Sequence, residues 1–294
     1  MINLLSYLIS GALTGLLYAT VAMGFVIIYR SSRVFNLAQG ELVMVGSFLV
    51  WSLAQYFGLP LWFSIILALT CSLVLGLVIE RIIFRPLVGE QLFALVMVTV
   101  GLMVFIRGLV LIIWSAEVHF FPAVFPMRGL KIGPLMIDKG LAIGGGTTIL
   151  IAALFSWFFN HTRKGLEMTA TAEDHQISLS LGLSVKKSIA LAWAISAMLS
   201  TLAAIILSSG RGITFMVGDI GLAALPIALL AGLESIGGLI VAGLVVGISI
   251  GVADYFLNPI FQGGVTEVFP FIIMIIVLLI RPSGLFGWKT IERI

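Results

Sequence analysis

Long apolar runs, each closed by a few polar or charged residues, repeat along the whole 294-residue chain. Runs of this kind predict bilayer-crossing helices, since about 20 residues rising 1.5 Å each cover roughly 30 Å of hydrocarbon. The first run covers residues 7–29 and closes on Arg30 and Arg33. The second covers 37–57; the third covers 60–79 and ends in Glu80, Arg81 and Arg85. The fourth, 92–114, carries Arg107 deep inside it. Residues 115–140 contain Pro122, Pro126 and Pro134 and read as a loop too broken for a helix. Apolar runs resume at 141–159 and 189–207, and then, punctuated by glycine, at 220–233, 236–256 and 268–280, before a basic tail.

The fold class expected from this pattern is an all-α, polytopic membrane bundle of eight or nine spans, one domain over residues 1–294. Its count turns on residues 220–233, a stretch that contains Pro226 and makes only about 21 Å of helix. As a re-entrant or broken half-helix it gives eight crossings and an outside C-terminus. As a full crossing it gives nine and places Arg281, Lys289 and Arg293 inside. Charge counting favours the second. One side collects Arg30, Arg33, Arg81, Arg85, Arg163, Lys164, Lys186 and Lys187; the other receives Arg128, Lys131, Lys139 and Arg211. The richer side is expected to be cytoplasmic, which puts the N-terminus outside.

Composition narrows the class further. With 61% hydrophobic and 10% charged residues and a mean hydropathy of +1.21, the chain is not a soluble domain and leaves no room for a separate catalytic one. The start, MINLLSYLISG, lacks a basic flank and reads as a retained first span. Cys71 stands alone in an apolar run, where it reads as packing; intrachain disulfides and multi-thiolate metal sites are excluded. His119, His161 and His175 lie in separate loops with no HExxH spacing, and no paired polar residues suit an intramembrane enzyme. Hence neither a catalytic site, a metal nor a cofactor is expected. Basic tracts suited to nucleic acid are missing too.

Residues 160–187 form the one extended polar segment, and 169–182, TATAEDHQISLSLG, its centre. Thr171 is expected to cap a short helix with Asp174 as its capping-box partner, while Glu173 and Asp174 suit the positive end of the helix dipole. Gly182 supplies the stop and Ser184 opens the next helix. Ile177 and Leu181 would share a face. Three readings stand: a docking helix for a soluble partner, a solvated loop, or a helix lying on lipid.

Inside the apolar runs, a second group stands out, because ionisable residues there are costly and tend to be functional. Asn36 and Gln39 look like a capping box, Glu41 sits in the first turn, and Asp219 reads as a further N-cap. Arg107 is open to three roles: pairing with a carboxylate, lining a watery path, or facing the acidic group of a zwitterionic cargo. Residues 36–46, NLAQGELVMVG, weakly echo 219–232, DIGLAALPIALLAG, as an inverted repeat would. Both helix starts are expected to approach a translocation path from opposite sides. The run GGGTT, 144–148, suggests either a channel filter or close helix packing.

The segment TRKGLEMTATAEDHQISLSLGL resembles the cytoplasmic loop of permease subunits in branched-chain amino acid ABC importers. Thr162, Arg163, Gly165, Ala170, Ala172, Glu173, Asp174, Leu181 and Gly182 match the family pattern, whereas Thr169 stands where the family usually has arginine. Residues 19–29 with 36–46, and the late block LLAGLESIGGLIVAGLVVG, match two further family stretches. In the latter, Ala231 and Glu234 replace glycines. The likeness covers nearly the whole chain and is greater to the first of that system's two homologous permeases. It implies a multi-pass subunit of a prokaryotic inner membrane whose short cytoplasmic helix couples to an ATPase. The implied partners are a second homologous permease, two ATP-binding subunits and a periplasmic or extracellular substrate-binding protein. No GxxxxGK[ST] occurs, so ATP would be hydrolysed by a partner. The implied cargo is a branched-chain or related small amino acid. Urea or short amides on the same architecture, or an ion-driven carrier or channel, are the alternatives.

Overall fold

A computed structural model describes residues 2–125, 129–132, 135–173, 175–261 and 264–287. The chain is mostly helical. Its elements are α1 (Ile2–Ser32), α2 (Gln39–Trp51), α3 (Leu61–Ile79), α4 (Leu92–Trp114), α5 (Lys139–His161), α6 (Arg163–Glu173) and α7 (His175–Ser180). There follow α8 (Val185–Ser208), α9 (Ile220–Ala231), α10 (Ile236–Phe256), α11 (Asn258–Phe261) and α12 (Val265–Ile280). The loop after α4 is more regular than its prolines suggest. In it, β1 (His119–Phe120) pairs antiparallel with β4 (Gly212–Ile213), and β2 (Gly129–Ile132) with β3 (Leu135–Asp138).

Among the described residues six helices are long and apolar enough to cross a membrane: α1, α3, α4, α5, α8 and α10. The chain is thus a multi-pass membrane protein. The remaining apolar runs form shorter helices, so span length alone yields six crossings rather than eight or nine. α1 and α8 form the buried centre, while α3 and α4 turn Trp62, Ile66, Phe105 and Ile112 outward. Cys71 belongs to that outer face and is exposed, correcting its reading as a packing residue. In lipid such a face costs nothing, because acyl chains are as apolar as leucine.

Close helix approach in the centre depends on glycine. α1 runs antiparallel to α10 with Gly11 and Gly15 against Gly247 and Gly243; a Cβ at Gly15 would fall 2.7 Å from the Gly247 Cα. Such small-residue seams let backbones touch where no hydrophobic force draws helices together. GGGTT is plain helix inside α5, where Gly144 abuts Leu17 and Ile206 and Thr148 hydrogen-bonds Thr20 at 2.6 Å. Close packing accounts for it.

Two helices begin in the interior. After α1 ends, Arg33 takes a left-handed conformation (φ 56°) and residues 34–36 run back along α1. α2 starts where Gln39 reaches Gly24, eight residues before the end of α1, and Ser196 and Ser200 near the middle of α8. It then follows the second half of α8 until Ser47 meets Ser208. α9 begins at the same depth and runs the opposite way, since Gly40 of α2 is packed against Gly218 and Gly221. It ends at Gly232 (φ 90°), whose backbone touches Gly284 and Gly287 beyond α12. The N-terminal turns of two half-length helices therefore meet inside the bundle.

Candidate functional site

Backbone N–H groups at a helix start lack internal partners and carry the positive end of the dipole. Where α2 and α9 meet, two such starts face each other across Gly40, Gly218 and Gly221. Side chains larger than hydrogen have no room here: a Cβ at Gly221 would lie 2.6 Å from Gly40 N and Cα. Arg107, from α4, reaches into this junction. Its Nε donates to Glu41 Oε1 at 3.0 Å, and its terminal nitrogen lies 2.7 Å both from that oxygen and from Asp219 Oδ1. One guanidinium thus ties the two half-helices together. Glu41 is almost wholly buried, with 2% of its side chain exposed, whereas half of Asp219 is open.

All five residues expected on a path, Asn36, Gln39, Glu41, Arg107 and Asp219, gather here. Of the three roles open to Arg107, pairing with carboxylates is observed. The expected caps are corrected. Asn36 Oδ1 accepts from Ala38 N at 3.1 Å, one residue before the helix, and α2 itself starts without a side-chain cap. Gln39 does not complete a box; its amide donates to Ser200 at 2.8 Å and accepts from Ser196 at 2.9 Å. Asp219 occupies the N-cap position of α9 but caps nothing, because its carboxylate is taken by Arg107. Ser196 and Ser200 were not singled out from the sequence, although two serines four apart in an apolar run share one helix face.

Beside the junction lies a cavity of about 570 Å³ between α1, α9, α10 and α12. Tyr18, Asp219, Leu222, Ile250, Glu267 and Phe271 are among its walls. It joins apolar surface to two carboxylates, as small-molecule sites do. Among the described residues no group of three His, Cys, Asp or Glu is placed to hold a metal.

At the Arg30–Arg33 end of the bundle the polar segment folds differently from expectation. Thr162, not Thr171, opens it: its hydroxyl accepts from Gly165 N at 3.1 Å, and α6 runs from Arg163. Thr171 is interior to α6, where its hydroxyl donates to Met168 O at 2.8 Å. Asp174 lies outside the described residues. Gly165 packs on the α5 backbone, and a Cβ there would come within 2.6 Å of Phe159 Cα. Ala172 is buried, while Arg163 and Ala170 face outward. Gly182 adopts φ 77° and closes α7, a conformation glycine takes without strain. Ile177, Leu179 and Leu181 are exposed, so the segment offers an apolar knob to its surroundings.

Glu173, at the end of α6, is an ion-pair partner of Arg33, and Arg33 also holds Glu234 in the turn between α9 and α10. Burial alone would make Arg33 less basic; the hydrogen bond and charge of Glu234, with Glu173 behind them, reverse this and raise its pKa. Next to it Arg30 stacks on Phe159 at 4.6 Å and donates to Thr169 at 3.2 Å. Thr169 is therefore taken up by an internal contact. The lead-in to α2, the exit from α9 and the polar segment are thus joined by one cation. Neither Arg33 nor Glu234 was expected in a site, although Glu234 in place of a family glycine was the available signal.

The chain aligns over 99% of its length with permease protein BraD of the high-affinity branched-chain amino acid transport system of Pseudomonas aeruginosa, at 28% identity and 98% coverage of that protein. The corresponding LivH of Escherichia coli K12 is 25% identical, with 99% and 97% covered. LivH of Salmonella typhimurium LT2 is 24% identical, again with 99% and 97% covered. Residues 6–278 match the family described as the permease component of the branched-chain amino acid transport system, and the chain belongs to that family.

Proposed function

We propose that the chain is the permease of an ATP-driven importer that moves branched-chain or related small amino acids into a prokaryotic cell across its inner membrane. Residues 1–294 act as one transmembrane domain beside a second homologous permease. A pair of ATP-binding subunits supplies the energy and a substrate-binding protein delivers cargo to the outer face. The observation that carries this reading is the meeting of α2 and α9 at Arg107. Broken helices whose starts face a shared interior point are how transporters build a mid-membrane site without exposing polar backbone to lipid.

The direction of the helices supports nine crossings, with α2 and α9 each completing one by an extended lead-in and α12, about 24 Å long, making the last. The N-terminus is then outside, and Arg30, Arg33, Arg81, Arg85 and Arg281 are inside with α6 and α7. In this arrangement Arg163, Ala170, Glu173, Asp174 and Gly182 belong to the surface that meets the ATPase, while the buried Gly165 and Ala172 seat α6 on the bundle behind it. Ile177, Leu179 and Leu181 enter its cleft. Arg33 passes the ATPase's movement to both half-helices.

The test is uptake in a host without its own leucine transport. The chain with its partner subunits should restore ATP-dependent uptake of L-leucine, and the purified chain alone should hydrolyse no ATP. Uptake by the chain alone, driven by an ion gradient, or uptake of urea in place of leucine would overturn the reading.

A further inference from the structure

The three ionisable groups at the junction are not equivalent. Glu41 and Arg107 form the fixed part: the carboxylate is 2% exposed, and a buried charge that loses its partner is strongly destabilised. Asp219 is half exposed and lines the cavity, so that its carboxylate is reached from open space. A ligand in the cavity can compete for Arg107 with the Asp219 carboxylate; it cannot reach past the enclosed one of Glu41.

Glu41 is also incompletely satisfied. Oε1 takes both contacts from Arg107, while Oε2 is buried and has no hydrogen-bond partner. A lone acceptor in such a place is expensive. It points at Gly218, the last turn before α9, where a Cβ would lie 2.6 Å from it. Glycine at that position adds no side chain against the oxygen. Two helix starts, one displaceable carboxylate on an arginine and one unpartnered carboxylate oxygen therefore share a point that also borders the 570 Å³ cavity through Asp219.

We infer that the junction is a zwitterion seat held shut by an internal substitute: Asp219 occupies on Arg107 the place of a cargo α-carboxylate, and Glu41 Oε2 is the acceptor for the cargo α-ammonium. This rests on the proposed path and deepens it. Cargo arriving from the cavity displaces Asp219, its carboxylate is shared between Arg107 and the N–H groups of the helix starts, and its ammonium satisfies Glu41. The aliphatic side chain stays against Leu222, Ile250 and Phe271. Glu267, on the same cavity wall, adds negative potential that draws the ammonium end inward. Both charges of the ligand class are thereby specified: an α-amino acid with a short apolar side chain.

The test uses three probes that share one side chain and differ by one charge: L-leucine, leucinamide without the carboxylate, and 4-methyl-2-oxopentanoate without the ammonium. Equilibrium binding is measured on the detergent-purified importer complex, with its partner subunits and no binding protein. Asp219→Asn should tighten leucine and the oxo acid about tenfold and leave the amide unchanged. Glu41→Gln should weaken leucine and the amide at least tenfold and spare the oxo acid. Comparing probes within one variant separates recognition from misfolding, which would lower all three together; the double variant Glu41→Gln/Arg107→Gln, which removes both buried charges, checks that the junction still folds. Leucine binding that is unchanged by Asp219→Asn, or equal losses for all three probes in a folded Glu41→Gln complex, would overturn the seat alone. Wild-type complex that binds no leucine would overturn the path reading as well.

Discussion

Alanine at Gly40 adds a single methyl where α2 touches α9. That carbon would lie 2.8 Å from Gly221 N and 2.9 Å from Gly221 Cα, and closer still to Gly218 O. All three are backbone atoms of a helix start and cannot swing aside as a side chain does. Restoring carbon contacts of about 3.5–4.0 Å requires the half-helices to part by roughly 0.6–1 Å at Gly221 and by more at Gly218 O. Arg107 spans them with 2.7 Å contacts to both Glu41 and Asp219, so one of these must lengthen beyond hydrogen-bonding range. Overpacking of this kind costs about 1–3 kcal/mol, a factor of about 5–150 in the population of the closed junction. Gly40→Ala should therefore cut ATP-dependent leucine uptake at least fivefold with normal amounts of inserted protein. Gly221→Ala, with a Cβ 2.6 Å from Gly40 N and Cα, should do the same or worse. Gly101→Ala is the control: it lies in α4 with nothing within 4 Å and should be silent or slightly stabilising. Wild-type uptake and thermal stability in both Gly40→Ala and Gly221→Ala would refute the argument that close backbone approach holds the junction.

Other consequences are open to measurement. In a double-mutant cycle on detergent-solubilised protein, Arg33→Gln with Glu234→Gln should show a coupling of about 0.5–1 kcal/mol in thermal stability. With Glu173→Gln it should be smaller, because Glu173 is the more exposed partner (54% against 20%); simple additivity in both cycles would remove the clamp. Gly182→Pro should abolish uptake while leaving the chain inserted, since φ 77° is closed to proline. Preserved uptake would show that the end of α7 does not set docking geometry.

Much of the bundle was legible in the sequence because lipid imposes a plain rule, apolar runs of helix length. α4 and α10 occupy the very residues their runs predicted, and α1 extends past its run at both ends, over residues 2–6 and 30–32. Asn36, Gln39, Glu41, Arg107 and Asp219 were legible as candidates as well, since each stands out by charge or polarity against grease; that Arg107 joins Glu41 to Asp219 was not. Nor were their roles. Local spacing makes Asn36 and Asp219 look like caps, but a partner 112 residues away in sequence, Arg107, outcompetes the backbone for Asp219. The same holds at Thr171, a good cap by type that is buried within α6 because Thr162 opens the helix nine residues earlier than the expected cap. Arg33 was legible only as a span boundary; that it binds carboxylates 140 and 201 residues away is a tertiary fact.

The most direct test of the junction as the translocation path is the water accessibility of Leu222, half exposed in the cavity beside Asp219. Leu222→Cys in a Cys71→Ser background, assembled with the partner subunits, is treated with a membrane-impermeant thiol reagent from outside. The account predicts labelling that is slowed at least severalfold by delivered L-leucine and altered again when ATP turns over. Labelling absent from the outside, or untouched by leucine and ATP in a complex that transports, would contradict it.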